Sequence, residues 1–158
     1  MTEWITEYIN SKLEKKKETH HYAYFLLSNK KCEIAIGKNS FIENKTCTTI
    51  HAELDALSKI NTWKECPKKI DLIVIKINKN GEIGEAKPCD HCIKVLDDSK
   101  LKIKNVYYSS NINNKYCIVK EKFSKMKNYD KNNKTIMSKA FRYNCNHKIY
   151  YENKKYNI

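Results

Sequence analysis

The sequence predicts an α/β protein, a three-layer α-β-α sandwich around a five-stranded mixed sheet. The segment Ile70–Ile77 is almost continuously apolar and β-branched, which is typical of a central strand covered on both faces. Shorter segments rich in β-formers lie on both sides of it in the chain, and segments with helical spacing of apolar residues separate them. Strands that alternate with helices in this way indicate a layered α/β fold.

The first sixty residues predict a helix, a hairpin and a second helix. Thr2 is a candidate cap for the first helix. Residues 22–27 and 32–36 are joined by a short polar link, which predicts a β-hairpin. A polar loop is expected over 37–49, and residues 51–60 then have helical spacing. The apolar residues that recur at helical spacing in the first helix are Trp4, Ile5, Tyr8, Ile9 and Leu13.

The second half of the chain predicts a further helix and two more strands. Pro88 suits the first turn of a helix that runs to about residue 96. Residues 103–109 and 116–120 are predicted strands, and the short link between them permits an antiparallel hairpin but not a parallel crossover. A last helix is predicted over 135–141. Because 158 residues leave room for one proper core, residues 1–158 are expected to form a single domain.

Charge is unevenly distributed along the chain. Residues 101–158 hold thirteen Lys and one Arg against three acidic residues, and so carry +11 of the net charge of +13. Basic residues interleaved with tyrosines can attract phosphate and stack bases, which makes RNA or single-stranded DNA a candidate partner of this segment. The alternative interpretation is that the richness in Lys, Asn, Ile and Tyr reflects an AT-rich genome.

Composition also bounds the class of protein. No apolar run is long enough to span a membrane, and the N-terminus lacks the features of a signal peptide, so an intracellular, cytoplasmic location is expected. Seven cysteines at irregular spacing argue against a disulfide scaffold. Of these, only Cys89 and Cys92 have the spacing of metal ligands.

Two short segments carry metal-binding chemistry, HAE at 51–53 and PCDHC at 88–92. Each opens a predicted helix, so the two cysteines emerge on one side of a first turn, where the helix dipole favours thiolate. One histidine and two thiolates would give zinc three protein ligands and leave a fourth position open for water, as a catalytic site requires. Glu53, two residues after His51, could take up a proton from that water.

These segments match H-x-E followed by P-C-x-x-C, the pattern of zinc-dependent nucleobase deaminases. The chain thereby resembles the cytidine/deoxycytidylate deaminase superfamily, which includes tRNA adenosine deaminases and polynucleotide cytosine deaminases. The resemblance is strongest over 22–120 and leaves 121–158 as a basic C-terminal extension. It implies a cytidine deaminase-like fold and hydrolytic removal of the exocyclic amine of a nucleobase. Cytosine in a free nucleoside or nucleotide is the leading substrate, and base editing in tRNA or single-stranded nucleic acid is the alternative.

The resemblance also implies the roles of the metal and catalytic residues. His51, Cys89 and Cys92 would hold zinc. Glu53 would carry protons to the ring nitrogen and to the departing ammonia.

For substrate binding, the resemblance points to three further residues, and the position of His91 in the sequence points to a fourth. Asn39, in the segment Gly37-Lys38-Asn39, is a candidate for contact with the sugar or the base edge. Ala52 would face the base and offer a backbone N–H, and Pro88 would shape the approach to the thiolates. His91 lies between the two cysteines and is a possible spare metal ligand, but at that position in a first turn it is expected to point elsewhere, into the substrate mouth.

Some features depart from each branch of the superfamily. Nucleoside deaminases typically carry Asn-x-Glu before the metal helix and a cysteine as first ligand, whereas here Asn39 and Glu43 are further apart and His51 is the ligand. The histidine resembles the deoxycytidylate and tRNA branches, which usually place a helix between the last strands, where a hairpin is predicted here. The sequence therefore allows either cytosine or adenine as the reacting base.

The same residues allow two other interpretations. Cys145 and His147 could complete a structural zinc site with the cysteine pair. A deaminase fold kept as an inactive, zinc-stabilised binding module usually loses a ligand or the carboxylate, and this chain has all four. His20 and His21 are expected to be ordinary surface residues, and a homo-oligomer is expected by analogy alone.

Overall fold

The computed structural model describes residues 3–12, 19–28, 32–41, 49–60, 69–99, 101–112 and 115–127. Thr2, Leu13, the predicted helix at 135–141, Cys145 and His147 lie outside these residues. The elements in chain order are α1 (Glu3–Asn10), β1 (His20–Leu27), β2 (Glu33–Lys38), β3 (Ser40–Phe41), β4 (Thr49–Ile50), α2 (Ala52–Ile60), β5 (Ile70–Ile77), β6 (Ile83–Gly84), α3 (Asp90–Asp98), β7 (Ile103–Ile112), β8 (Lys115–Lys122) and α4 (Phe123–Met126). Within the described residues, no helix is long and apolar enough to cross a membrane.

The main sheet is mixed, with strand order β2-β1-β5-β7-β8. β5 and β7 pair in parallel, and the other neighbours on this path pair antiparallel. Both predicted hairpins, β1–β2 and β7–β8, are thus confirmed. Two short additions were not predicted: β6 pairs with β5, and β3 pairs with β4 inside the expected loop. Each of these strands has two residues, which is too few to give a period-two pattern in the sequence.

The sheet is covered by helices on both faces, which confirms the three-layer prediction. Side chains alternate between the two faces of a strand. In β5, Leu72 and Val74 belong to a buried cluster shared with α2 and α3, whereas Ile73 and Ile75 belong to a second cluster shared with α1. All four side chains are at most 2% exposed. The central strand is therefore buried on both sides, as its apolar run predicted.

The start of α2 packs directly on β2 at Gly37. A Cβ atom built on Gly37 would overlap the carbonyl oxygen of Ala52 and the backbone nitrogen of Ala56. Both are main-chain atoms of α2, so they cannot yield without moving the helix. The lack of a side chain at Gly37 therefore sets how closely α2 approaches the sheet.

Gly37→Ala is expected to lower the free energy of unfolding by about 3 kcal/mol, because the added methyl group overpacks a backbone contact. Urea denaturation measures this loss. Gly84→Ala is the matched control, since its Cβ would meet a methylene of the flexible Lys76 side chain at 2.8 Å. We expect the control to cost less than about 1 kcal/mol. Equal losses in the two variants would show that the contact between α2 and β2 is not tight.

Candidate metal centre and its cavity

The three candidate metal ligands lie at the starts of two helices that pack on the same face of the sheet. His51 precedes α2, and its carbonyl oxygen accepts the N–H groups of Leu54 and Asp55 at 3.1 and 3.0 Å. Cys89 is the N-cap of α3, and its carbonyl oxygen accepts the N–H of Ile93 at 3.0 Å. Both positions therefore have the backbone geometry of a helix start, where side chains can converge on a ligand.

α3 begins later than the sequence predicted. Cys89 has extended backbone angles, φ −75° and ψ 160°, and Asp90 is the first helical residue. Pro88 therefore precedes the cap instead of lying in the first turn. The proline ring fixes φ near a value that fits extended backbone and helix alike, so a proline does not by itself fix the start of a helix. Cys92 still lies in the first turn, three residues after the cap.

The structure brings the three candidate zinc ligands together. The Nδ1 atom of His51 lies 3.6 Å from the Sγ atom of Cys89 and 3.3 Å from that of Cys92. Zinc bond lengths of about 2.1 Å to nitrogen and 2.3 Å to sulfur place such ligand atoms about 3.5 Å apart in a tetrahedron. The observed separations therefore fit one zinc ion. Among the described residues, no fourth histidine, cysteine or carboxylate joins this cluster.

The cluster favours the thiolate form of Cys89. Its pKa is lowered to about 4, chiefly because the Cys92 side chain hydrogen-bonds the thiolate, with a further contribution from His51 against the opposing effect of burial. Burial raises the pKa of Cys92. The hydrogen bond with Cys89 raises the pKa of His51 despite burial of its ring. Thiolate is the form of cysteine that binds metal, so the cluster suits a cation.

Glu53 lies in the first turn of α2 beside this cluster. Its side chain is only 5% exposed. Burial raises the pKa of its carboxyl, although its own backbone N–H and the nearby His51 favour the charged form. It also has a hydrogen bond with the Cys92 side chain. Because a buried carboxyl is rare unless it has a partner or a function, its position next to three candidate metal ligands identifies it as a functional candidate.

A cavity of about 360 Å³ opens next to the cluster, and Glu53, His51 and Cys89 line it. Part of its wall is apolar and comes from Ala52 and Val74. A mainly apolar cavity with a few convergent polar groups is typical of a small-molecule site.

Two of the four residues predicted to bind substrate line this cavity, Asn39 and Ala52. The Oδ1 atom of Asn39 accepts the backbone N–H of His21 at 2.7 Å, which fixes the orientation of its amide. Pro88 and His91 are not among the described residues that line the cavity. Pro88 is buried ahead of the α3 cap, and His91 is half-buried in the first turn of α3.

The expectation that His21 is an ordinary surface residue is wrong. His21 is half-buried and lines the cavity. Two further lining residues, Glu85 and Lys87, were also missed. The alternation of side chains along β1 could have revealed His21, had the strand been predicted to begin at residue 20. The segment after β6 has no periodic pattern that would mark Glu85 or Lys87.

Comparison with known protein families agrees with this geometry. The family described as the cytidine and deoxycytidylate deaminase zinc-binding region matches residues 2–110, a range that includes the His/Cys/Cys cluster and Glu53. No curated protein and no solved structure gives a significant match. The family match covers more than half of the 158 residues and reaches α1, which the sequence resemblance did not include. The chain therefore belongs to the zinc-binding cytidine and deoxycytidylate deaminase family.

Proposed function

We propose that the protein is a zinc-dependent hydrolytic deaminase whose substrate is cytosine in a free nucleoside or nucleotide. The observation that carries this proposal is the placement of Glu53. Its buried carboxyl lines the same cavity as His51 and Cys89, so a proton-carrying group and a metal-binding cluster face one ligand space. Membership of the deaminase family supports the reaction class.

His51, Cys89 and Cys92 would hold the zinc ion, which lowers the pKa of a water towards neutrality and thereby supplies the nucleophile. Glu53 accepts a proton from the attacking water and delivers it to the ring nitrogen beside the reacting carbon. It then passes the second proton of the water to the amine, which leaves as ammonia. The overall reaction consumes one water and one aminopyrimidine and forms one carbonyl product and one ammonia.

The cavity wall would orient the base for this reaction. Ala52 and Val74 offer apolar surface on which a flat ring can pack. The N–H of Ala52 belongs to the first turn of α2, where backbone donors have no partner within the helix. This N–H is therefore suited to the carbonyl edge of the base. Asn39, held by the backbone of His21, is suited to the sugar.

The topology of the last strands supports a free nucleoside among the candidate substrates. β7 and β8 form an antiparallel hairpin. The deoxycytidylate and tRNA branches usually place a helix at that point, so the hairpin distances this chain from them. Cytosine is favoured over adenine on the same ground.

Editing of RNA or single-stranded DNA is the second candidate, and one surface feature favours it. Tyr116 is 51% exposed in the β7–β8 hairpin beside the exposed Lys115. Its cross-strand partner Asn111 donates its backbone N–H to the Glu85 carboxylate at 2.8 Å, and Glu85 lines the cavity. An aromatic ring and a lysine near a cavity can hold a flanking base and its phosphate.

A substrate screen separates these candidates. Zinc-loaded protein is incubated with cytidine, deoxycytidine, deoxycytidylate, adenosine and short oligonucleotides, and ammonia is measured. We expect release from free cytosine nucleosides or nucleotides. Release from oligonucleotides alone would favour editing of nucleic acid. Zinc binding without any turnover would indicate an inactive binding module and would contradict the proposal.

Salt dependence provides a second readout in the same assay. A nucleotide with one phosphate displaces few counterions, so raising salt from about 50 to about 200 mM should change KM by less than about threefold. An oligonucleotide held through several phosphates would lose far more affinity over that range. A steep salt dependence for the best substrate would contradict the preference for a free nucleotide.

A further inference from the structure

His21 stands on the cavity side of β1. Side chains alternate along a strand, and Ala23 and Phe25 pack in the cluster that β1 shares with α2. His21 therefore points to the same side, towards the start of α2. His21 lines the cavity that Glu53, His51 and Cys89 also line. A polar ring that belongs to neither deaminase motif thus faces the ligand space.

Two hydrogen bonds of the His21 backbone hold it in a fixed position relative to Asn39. The His21 N–H donates to the Oδ1 atom of Asn39 at 2.7 Å, and the Asn39 N–H donates to the His21 carbonyl oxygen at 3.1 Å. On its other edge, β1 is paired with β5, where His21 lies opposite Lys76. A side chain on so constrained a backbone loses little freedom when it contacts a ligand, which favours selective recognition.

The His21 ring has a defined hydrogen-bonding polarity. The ring has a hydrogen bond with the backbone of Glu85, and this bond raises the pKa of His21. A bond that favours the protonated ring is one in which the ring N–H donates to a carbonyl oxygen. Burial and the charge of Lys76 act against it and lower the pKa of His21 overall. A neutral imidazole has one N–H donor and one acceptor nitrogen. Since the donor is directed to Glu85, the remaining nitrogen is an acceptor.

The position of His21 in the cavity determines which part of a bound substrate it can contact. Glu53 and Ala52 are buried and form the inner part of the cavity, where the base must react. His21 is joined to the backbone of Glu85, whose side chain is exposed at the cavity rim together with Lys87. A nucleoside with its base inside leaves its sugar near this rim.

We propose that His21 is a specificity-determining residue that accepts a hydrogen bond from a sugar hydroxyl and thereby sets which sugar the enzyme prefers. The inference rests on the proposed function, since it names the part of a nucleoside that this wall recognises. A neutral acceptor at the rim selects against sugars that lack the donor, because its acceptor nitrogen would then be desolvated without a partner.

Two substitutions at His21 test this role. His21→Phe keeps a planar ring and removes the acceptor, whereas His21→Gln offers a carbonyl oxygen in its place. His20→Phe is the matched control, because His20 is the preceding residue on the opposite side of the strand and its ring contacts Tyr22 at 6.1 Å between centroids. Zinc content and thermal melting show whether each variant is folded and loaded.

Each variant is assayed with cytidine and with its 2′-, 3′- and 5′-deoxy analogues. In the wild type, we expect one analogue to have a kcat/KM about tenfold below that of cytidine, the size of one hydrogen bond. His21→Phe should lower kcat/KM for cytidine by about tenfold and leave that analogue unchanged, so that the preference disappears. His21→Gln should restore part of the preference, and His20→Phe should keep all of it.

Equilibrium binding of the same four compounds, measured by calorimetry, distinguishes a failure of the proposed deaminase function from a failure of the proposed role of His21. Binding without turnover contradicts the proposed function but still reports the sugar preference. The role of His21 is overturned if the wild type treats all four compounds alike, if His21→Phe weakens all four equally, or if no nucleoside binds.

Discussion

Glu53→Gln is expected to lower kcat by about a thousandfold while the protein keeps its zinc, because general acid–base groups typically contribute factors of this size. Glutamine preserves the shape of the side chain but cannot accept the proton of the attacking water. Glu53 lies outside the three-residue metal cluster, so its loss should not release the ion. Steady-state kinetics and metal analysis of the same preparation measure both effects.

Asp55→Asn is the matched control for this substitution. Asp55 lies two residues further along α2, where it accepts hydrogen bonds from the Lys38 backbone at 3.1 Å and the Lys59 ammonium at 2.8 Å. A partly exposed pair of this kind contributes about 1 kcal/mol or less, so kcat should stay within about twofold of the wild type. Wild-type turnover in Glu53→Gln would show that another group carries the protons.

Cys92→Ala is expected to remove the zinc ion and, with it, all measurable turnover. The Cys92 side chain, on α3, is fully buried and packs against the apolar side chains of Ile50 and Leu54. Alanine leaves a small apolar gap there, and the loss of sulfur from the metal cluster is the larger effect. Zinc content should fall from about one ion per chain to less than about a tenth of that, since two ligands do not hold zinc in a protein site of this type.

Thermal melting with and without a chelator gives a readout that does not depend on turnover. A ligand that binds only the folded state stabilises it, so a chelator should lower Tm in the wild type but not in Cys92→Ala. Cys117→Ala is the control, because Cys117 is a half-buried free thiol on β8 outside the cluster. Retention of zinc in Cys92→Ala would mean that other residues hold the ion.

The features predicted best from the sequence depend on local patterns. The apolar run of β5 is long enough to indicate burial on both faces, and the structure has the strand over the same residues, Ile70–Ile77. The helix over 51–60 and the two hairpins follow from residue spacing and link length alone. The candidate metal ligands could also be proposed from the sequence, because each of the two segments carries its chemistry within a few neighbouring positions, and the structure brings the three side chains together.

The features that were missed depend on contacts between distant segments. His21 lies before the run of β-formers that begins at Tyr22, and histidine has no strong strand preference, so the sequence pattern predicts a strand that starts after it. Its exposure is decided by α2 and by the segment at Glu85, which are far from it in the chain. The later start of α3 depends on the extended backbone of Cys89, which the preceding proline permits but does not require.

X-ray absorption at the zinc edge of the purified protein tests most directly whether His51, Cys89 and Cys92 hold one zinc ion and leave a position open. We predict two sulfur atoms at about 2.3 Å and two nitrogen or oxygen atoms at about 2.0–2.1 Å. A shell of four sulfur atoms, or a shell without sulfur, would contradict the metal centre described for this protein.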